Sequence, residues 1–506
     1  MSSTRDYLEK VFKESPQWIS SQDSMFDIAA TLSIGPICLV LRSFLRTRFS
    51  RLQIWDQFLF DFVIVVMPIL LSFTVFATQI PVYIISLLLI ILCSARNLNF
   101  PQSTSTPYPL ESFGVSYINS YRALVNLCTV IVILAVDFPA LFPYGFHKRY
   151  TRGFSLMDSG VGSFVFSHAL VSAEARHKDK GLSFMKRIKT TVVSSSVLLL
   201  LGLARLFVTW ITNYAVSEDE YGKHWNFFFT LAAVKILVTI VFCVLPFPQF
   251  SGILGISLGL VYQFSLSVFS LKDWILTGDD GSGLHNGSFL NSNRPGIFSS
   301  IGFCSLYLVG VQLGRYLFRP DRSGTWKDQL TTLHTLTLTT TVFSFSAWMT
   351  HTQWEQSSRM MANLGYITWQ LAHNTFLLSL ALVADLIAAS LPNTSPACGC
   401  EGCPRPAVVP CNKENNEENR EKLDEDKDRY IKDRNIKECS CILTAINKNQ
   451  LFFFLIGNVL TGLVNLTIKT GEVRIVCGMV VLGCYCGVVT GVMVMMLRNN
   501  ISTKFW

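Results

Sequence analysis

The chain has 506 residues, half of them hydrophobic and only 15% charged, against roughly a quarter charged in ordinary soluble domains. A single water-soluble core cannot absorb that much apolar side chain. The 42 Lys and Arg against 34 Asp and Glu give a net charge of +8, but the excess is spread over short connections, which suits orientation in a bilayer and argues against nucleic-acid binding.

The first 25 residues set Arg5, Lys10 and Lys13 among polar neighbours, with no apolar core and no small-residue cleavage site. No signal peptide is expected, and the first span itself directs insertion. Beyond it, apolar runs of about 17 to 25 residues recur, the length that crosses a hydrocarbon core of about 30 Å. They predict about thirteen spans, over 26–45, 57–77, 80–95, 121–143, 156–172, 190–211, 226–246, 249–270, 297–317, 333–351, 364–391, 450–469 and 474–497. The expected fold class is therefore an all-α polytopic transmembrane bundle. Residues 1–392 form its main transmembrane region, 393–449 a mobile cytoplasmic loop, and 450–506 a C-terminal helical pair with a short tail. No internal repeat is visible, which counts against repeat-built transporters.

Cations set the orientation, because cytoplasmic loops near span ends hold more Lys and Arg. Arg46, Arg48 and Arg51, then Arg176, Lys178, Lys180, Lys186, Arg187 and Lys189, then Arg319, Arg322 and Lys327 all fall on even-side connections. Those connections are expected in the cytoplasm, with the N-terminus lumenal and the C-terminus cytoplasmic. The loop 393–449 adds further cations within the mixed-charge run KENNEENREKLDEDKDRYIKDRN, which has almost nothing to bury. Of the 14 Cys, Cys38, Cys93, Cys128, Cys243 and Cys304 are single residues in apolar segments, so no disulfide framework is implied. Cys398, Cys400, Cys403 and Cys411 lack a matching second ligand pair unless Cys439 and Cys441 join them. Lipidation or solvent exposure fits that patch better than zinc, and no metal is expected.

Ionisable residues at membrane depth are costly and mark candidate sites. Asp137 closes the run LVNLCTVIVILAVDFP, and Pro139 behind it stops the helix at its lumenal end. Lys148 follows a short Phe- and Pro-rich turn and can fold back towards it. Such a half-desolvated carboxylate and amine could deprotonate an alcohol, or could simply tie a loop to a helix end. In LMDSGVGSFVFSHAL, Asp158 opens a span whose Gly160, Gly162 and Ser163 permit close helix approach. Asp158 could equally serve as a helix cap. His224, Trp225 and Asn226 stand at a span mouth and suit a sugar or phosphate head group, although Trp at an interface is often a belt residue. Asp279, Asp280, Ser282, Asn293 and Arg294 fall in the next lumenal loop, which could be only a solvated connection. Arg359 and Asn363 stand at a further span entrance. Charge bias places all four polar clusters on one face.

Asp61 and Asp385 lie inside spans as candidate helix-packing partners. His373 and Asn374 are similar to the His and Asn of membrane-bound O-acyltransferases, a two-residue likeness that leaves Asn374 a candidate ligand. Gly-rich phosphate loops, nucleophile elbows and H-E-x-x-H are absent from the sequence.

The blocks AVDFP (135–139), LMDSGVGSFVF (156–166), YGKHWNFFFT (221–230), TGDDGSG (277–283), NSNRPGI (291–297), GVQLG (310–314), SRMMANL (358–364), TAINKNQLFFFLIGNVLTGLVNL (444–466) and the terminal FW resemble the PIG-W family of inositol acyltransferases in glycosylphosphatidylinositol (GPI) anchor biosynthesis. That resemblance implies transfer of a fatty acyl chain, usually palmitoyl, from acyl-CoA to the inositol 2-hydroxyl of glucosaminyl-phosphatidylinositol. It further implies a lumen-facing site in the endoplasmic reticulum membrane, Asp137 and Lys148 as the catalytic pair, and no cofactor beyond acyl-CoA as co-substrate. Here DFPALFPYGFHK stands where the family pattern is nearer DFPLFPRRFAK, so one residue is inserted between the pair while Lys148 keeps its expected distance to Asp158. The alternative from another class is a glycolipid transporter or scramblase, which calls for polar residues distributed through membrane depth.

Overall fold

Inside hydrocarbon every backbone N–H and C=O needs a partner within the protein, so a spanning segment closes on itself as a helix. The computed structural model follows that rule, with no strand among the described residues. Those are 25–49, 53–96, 116–149, 152–178, 184–211, 220–245, 247–269, 271–277, 289–322, 325–391 and 442–503.

In chain order the helices are α1 (Met25–Arg46), α2 (Ile54–Asp61), α3 (Met67–Phe73), α4 (Ile80–Ala95), α5 (Ser116–Ala135), α6 (Leu156–Leu170), α7 (Phe184–Ile211), α8 (Phe227–Val244) and α9 (Ser251–Val268). They continue as α10 (Leu271–Thr277), α11 (Phe289–Ser292), α12 (Arg294–Leu317), α13 (Trp326–Met349), α14 (Leu364–Ser390), α15 (Ile442–Lys448), α16 (Gln450–Thr467) and α17 (Ile475–Arg498). A π-helical turn, Phe62–Val66, joins α2 to α3 and makes one span of them.

Among the described residues, ten helical segments are long and apolar enough to cross a membrane, and each falls on an expected span. Three expected spans are helices that miss that standard: α4 and α6 are short, with 16 and 15 residues, and α13 is rich in threonine. The α13 hydroxyls fold back on their own helix, as when Thr331, Thr335 and Thr339 donate to carbonyls one turn earlier at 2.9, 2.9 and 2.7 Å. That satisfies the polar atoms without solvent. The expected span 121–143 needs correction. α5 runs from Ser116 to Ala135, and residues 136–143 turn instead, because Pro139 offers no N–H and disfavours helix at the residue before it. The expected loop 393–449 lies outside the described residues up to 441, and its last part is the buried helix α15.

The chain divides into two units, one of 1–29, 144–376 and 506, the other of 30–143 and 377–505. In the first, α12 is the central helix, and small residues bring its neighbours close. Ser305 donates to the Gly255 carbonyl of α9 at 2.7 Å, and Gly314 lies against the Leu170 carbonyl at the end of α6. The segment between α13 and α14 packs on the same helix. Tyr262 of α9 donates to the Met361 carbonyl at 2.9 Å, and Ala362 sits in the left-handed region with φ 48°, directly over Gly302.

In the second unit, the Arg42 guanidinium of α1 grips Asp61 through two bonds of 2.6 and 3.3 Å, and Asp61 also accepts from the Ile442 N–H that opens α15. Asp61 is thus a packing partner. Tyr485 of α17 donates to the carbonyls of Val130 and Gly457, both at 3.1 Å, tying α17 to α5 and α16.

A Cβ on Gly302 would lie 2.1 Å from the Ala362 carbonyl oxygen, a contact that only backbone movement relieves. Gly302→Ala is therefore expected to cost about 1–3 kcal/mol by overpacking, read as a lower thermal unfolding midpoint of the purified protein in detergent. An unchanged midpoint would contradict this packing.

Candidate functional site

The site is built in the first unit on the N-terminus of α6. Ser155, extended at φ −148°, caps that helix by accepting from the Asp158 N–H at 3.1 Å. Asp158 is therefore not the cap. It is the residue three positions on, and its carboxylate is free to turn elsewhere. Its Oδ2 accepts from the Ser155 hydroxyl at 2.7 Å and from the Arg149 N–H at 2.9 Å. Its Oδ1 accepts from Arg359 Nε at 2.7 Å, with the two side chains 1% and 5% exposed. Tyr366 of α14 donates to the Asp158 carbonyl at 2.8 Å.

Arg359 arrives on a segment held from several sides. Asn363 accepts from the N–H groups of Ser358 and Tyr366 at 3.0 and 3.1 Å and donates to the Gln356 carbonyl at 2.9 Å. Glu355 accepts from Gln263 at 2.8 Å and pairs with Lys272 at 3.3 Å. The guanidinium lies 5.5 Å from the centre of the Tyr221 ring. Burial works against its charge, yet Asp158, Tyr221 and Glu220 together raise its pKa above the ordinary arginine value.

The segment 220–226 adds the next shell of charge. Lys148 Nζ donates to Glu220 Oε1 at 2.5 Å. Burial alone would push the Glu220 carboxyl up, but Lys148, Arg359 and Arg205 outweigh it and hold the group below its ordinary value. Burial pushes the Tyr221 phenol up to about 12 against the pull of Arg359, so it stays a neutral donor. Burial, with Arg149 and Lys148 nearby, pushes His147 down to about 4. The backbone at Gly222 has φ +100°, and a Cβ there would come 2.4 Å from the Ser292 carbonyl oxygen. This close approach lets His224 N–H reach Asn293 Oδ1 at 2.7 Å and Gly296 N–H reach the Tyr221 carbonyl at 3.1 Å.

Members of all four polar clusters expected from the sequence are thus linked, through Asp158, His224, Asn293 and Arg359, together with Lys148. Their members differ in what they have left to offer. Asn226 caps α8 through bonds from Phe228 and Phe229 and donates to the Gly202 carbonyl at 3.0 Å. Asn363 is similarly occupied. Trp225 donates to Thr230 at 3.0 Å and lies against Gly296. Arg294 binds the carbonyls of Ile275 and Asn291 at 2.9 and 2.8 Å. The His224 side chain is exposed. Asn374 is buried in α14, donating to Gln370. Asp279, Asp280 and Ser282 lie outside the described residues.

Asp137 belongs to the second unit and Lys148 to the first. Asp137 follows α5 on a turn anchored by the buried side chains of Phe138, Leu141 and Phe142, of which Phe138 and Leu141 pack on Gly478 of α17. Its Oδ2 accepts from Asn465 Nδ2 near the end of α16 at 2.8 Å. Sequence reading missed Glu220, Tyr221, Tyr366 and Asn465. Only the spacing Ser155-x-x-Asp158, a capping-box pattern, could have reassigned the cap. No group of His, Cys, Asp and Glu suited to a metal occurs among the described residues.

A model of the GWT1 family matches residues 13–496. The glucosaminyl-phosphatidylinositol-acyltransferase PIGW of Bos taurus is 33% identical over 489 residues, covering 91% of this chain and 92% of the bovine protein. The Homo sapiens protein of the same name is 32% identical over 493 residues, with 91% and 92% covered. GPI-anchored wall transfer protein 1 of Saccharomyces cerevisiae is 30% identical over 494 residues, with 88% and 89% covered.

The Glu220 charge yields a pH prediction. Its folded pKa lies below the unfolded value, so its contribution to stability is fully present above about pH 4.5 and is lost as pH falls through the folded value. Glu220→Gln is expected to lower the thermal unfolding midpoint at pH 7, with the gap from wild type narrowing as the pH falls below about 4.5. A gap that stays constant over that range would remove Glu220 from the account.

Proposed function

The chain belongs to the GWT1 family, and from that premise we propose that it is the acyltransferase that acylates the inositol of glucosaminyl-phosphatidylinositol in GPI-anchor biosynthesis. The observation that carries this reading is the match over about nine-tenths of the chain to relatives named for that reaction. It favours an enzyme over a glycolipid transporter or scramblase. Acyl-CoA is the proposed acyl donor, since a thioester is already activated and the transfer then needs no further cofactor. We place the protein in the endoplasmic reticulum membrane, with its N-terminus and the polar site in the lumen and its C-terminus in the cytoplasm. The cation distribution along the loops supports that orientation.

In the proposed reaction the inositol 2-hydroxyl oxygen adds to the thioester carbonyl carbon while its proton passes to Asp137, acting as general base. The C–S bond then breaks, and CoA leaves as a thiolate that takes up the proton. Lys148 is the cationic partner that the family resemblance assigns to Asp137. Glu220 accepts from Lys148 and holds its side-chain nitrogen in place. Arg359 is committed to Asp158 and is a positioning residue.

The test is turnover of purified protein in lipid nanodiscs supplied with palmitoyl-CoA and glucosaminyl-phosphatidylinositol, read as a mass gain of one acyl group. Asp137→Asn and Lys148→Met are each expected to lower the rate at least a hundredfold, on the order of what general acid–base groups contribute, with an unchanged unfolding midpoint for Asp137→Asn and a lower one for Lys148→Met, which loses its pair with Glu220. Rates within a few-fold of wild type would exclude the assigned pair. No acylated product from wild-type protein would overturn the enzyme reading.

A further inference from the structure

Deeper along α14, one turn past Tyr366, lies a set of polar groups that the proposed reaction has not used. Trp369, Gln370 and His373 are 1%, 0% and 3% exposed. The Trp369 indole nitrogen, the Gln370 amide nitrogen and both ring nitrogens of His373 have no hydrogen-bond partner among the described residues. At roughly 100° per residue the three occupy one sector of the helix. The Trp369 and His373 rings are 6.2 Å apart. Asn374 Nδ2 donates to Gln370 Oε1 at 3.2 Å, which identifies Nε2 as the uncommitted end of that amide. The Gln370 side chain occupies the space left by Gly162 of α6, where a Cβ would come 2.5 Å from Gln370 Cδ and Oε1. Because Tyr366 on the same helix binds the Asp158 backbone, this sector continues the Asp158–Arg359 site inward.

A buried polar group without a partner costs about 1–3 kcal/mol, so three on one turn call for a ligand. Their chemistry restricts what it is. The unused capacity is mainly donors, an indole N–H, an amide NH2 and an imidazole N–H, and none carries a formal charge. Aromatic rings surround them, with Phe154 5.0 Å from Trp369 and stacked on His351 at 4.5 Å. A phosphate would require cations here, and Arg359 is spent on Asp158. A sugar hydroxyl would need acceptors as well as donors. Neutral donors among aromatic rings match a carbonyl oxygen carried on a long apolar group.

We propose that the Trp369–Gln370–His373 turn of α14 binds the carbonyl oxygen of the acyl thioester. This inference rests on the acyltransferase reading and adds to it the site of the acyl carbonyl. When the alcohol oxygen adds to the carbonyl carbon, an electron pair moves onto the carbonyl oxygen, where these donors meet it. The pair returns to re-form the C=O as the C–S bond breaks.

Palmitoyl-CoA and S-hexadecyl-CoA differ in the carbonyl, so their affinities for the full-length protein in nanodiscs without acceptor lipid test the inference directly. Wild type is expected to bind palmitoyl-CoA roughly tenfold more tightly. Gln370→Leu, His373→Leu and Trp369→Phe are each expected to shrink that preference while leaving S-hexadecyl-CoA affinity unchanged. Trp369→Phe keeps the ring packing and removes only the donor, so it decides the matter if either leucine variant fails to fold. Equal affinities in wild type, as expected if only water meets these groups, would overturn the inference and leave the acyltransferase reading standing, as would variants that keep the full preference. Binding of neither ligand by wild type would overturn acyl-CoA as donor and this inference with it.

Discussion

A carboxylate and a guanidinium almost completely withdrawn from water can persist only as a pair. Asp158 and Arg359 are in that position, 1% and 5% exposed, and losing either partner of such a pair typically costs about 3–5 kcal/mol because the other charge is stranded. The demand is met by geometry from several directions. Ser155 caps α6 and donates its hydroxyl to the Asp158 carboxylate, the Arg149 N–H adds a second bond to the same oxygen, and Asn363 folds the segment that delivers Arg359. The pair therefore fixes the relative positions of the α6 start, the approach to α14 and the chain beside Lys148 within one unit of the molecule.

That fixed arrangement organises the rest of the polar site. Tyr221 faces the guanidinium, Glu220 carries the charge outward to Lys148, and Tyr366 joins the pair to the inner face of α14. Close helix approach is what makes this possible. Gly302 admits Ala362 in its left-handed conformation, Gly162 admits the Gln370 amide, and Gly222 lets the chain at Tyr221 reach Ser292 and Asn293. The charged groups gather at the start of α6 and ahead of α14, and the uncharged donors follow along α14, an order suited to a substrate with a polar head and an acyl chain.

The spans were legible in the sequence because a hydrocarbon solvent demands about 20 apolar residues in a row. The exceptions also have a local cause: Pro139 cut α5 short, and the α13 threonines hide their hydroxyls against the helix backbone. The site was legible as a set of residue types but not as a set of partners. Asp158 and Arg359 are far apart in the chain, as are Lys148 and Glu220 and, in the second unit, Asp137 and Asn465. No spacing rule connects such residues. Asn226 and Asn363 read as head-group ligands because amides bind sugars well, but the same amides serve equally well as caps, and here their capacity goes to backbone. The resemblance to the PIG-W family implied the reaction, which neither periodicity nor charge could have named.

The central claim is that Asp158 and Arg359 stabilise the fold only together, and a double-mutant cycle tests it. Unfolding free energies would be measured in one detergent for wild type, Asp158→Asn, Arg359→Met and the double variant. We expect each single change to be strongly destabilising and the double variant to be no worse than the more damaging single, giving a coupling of about 2 kcal/mol or more. Effects that add to within about 0.5 kcal/mol would mean that the two groups act independently, and the site would have lost its organising interaction.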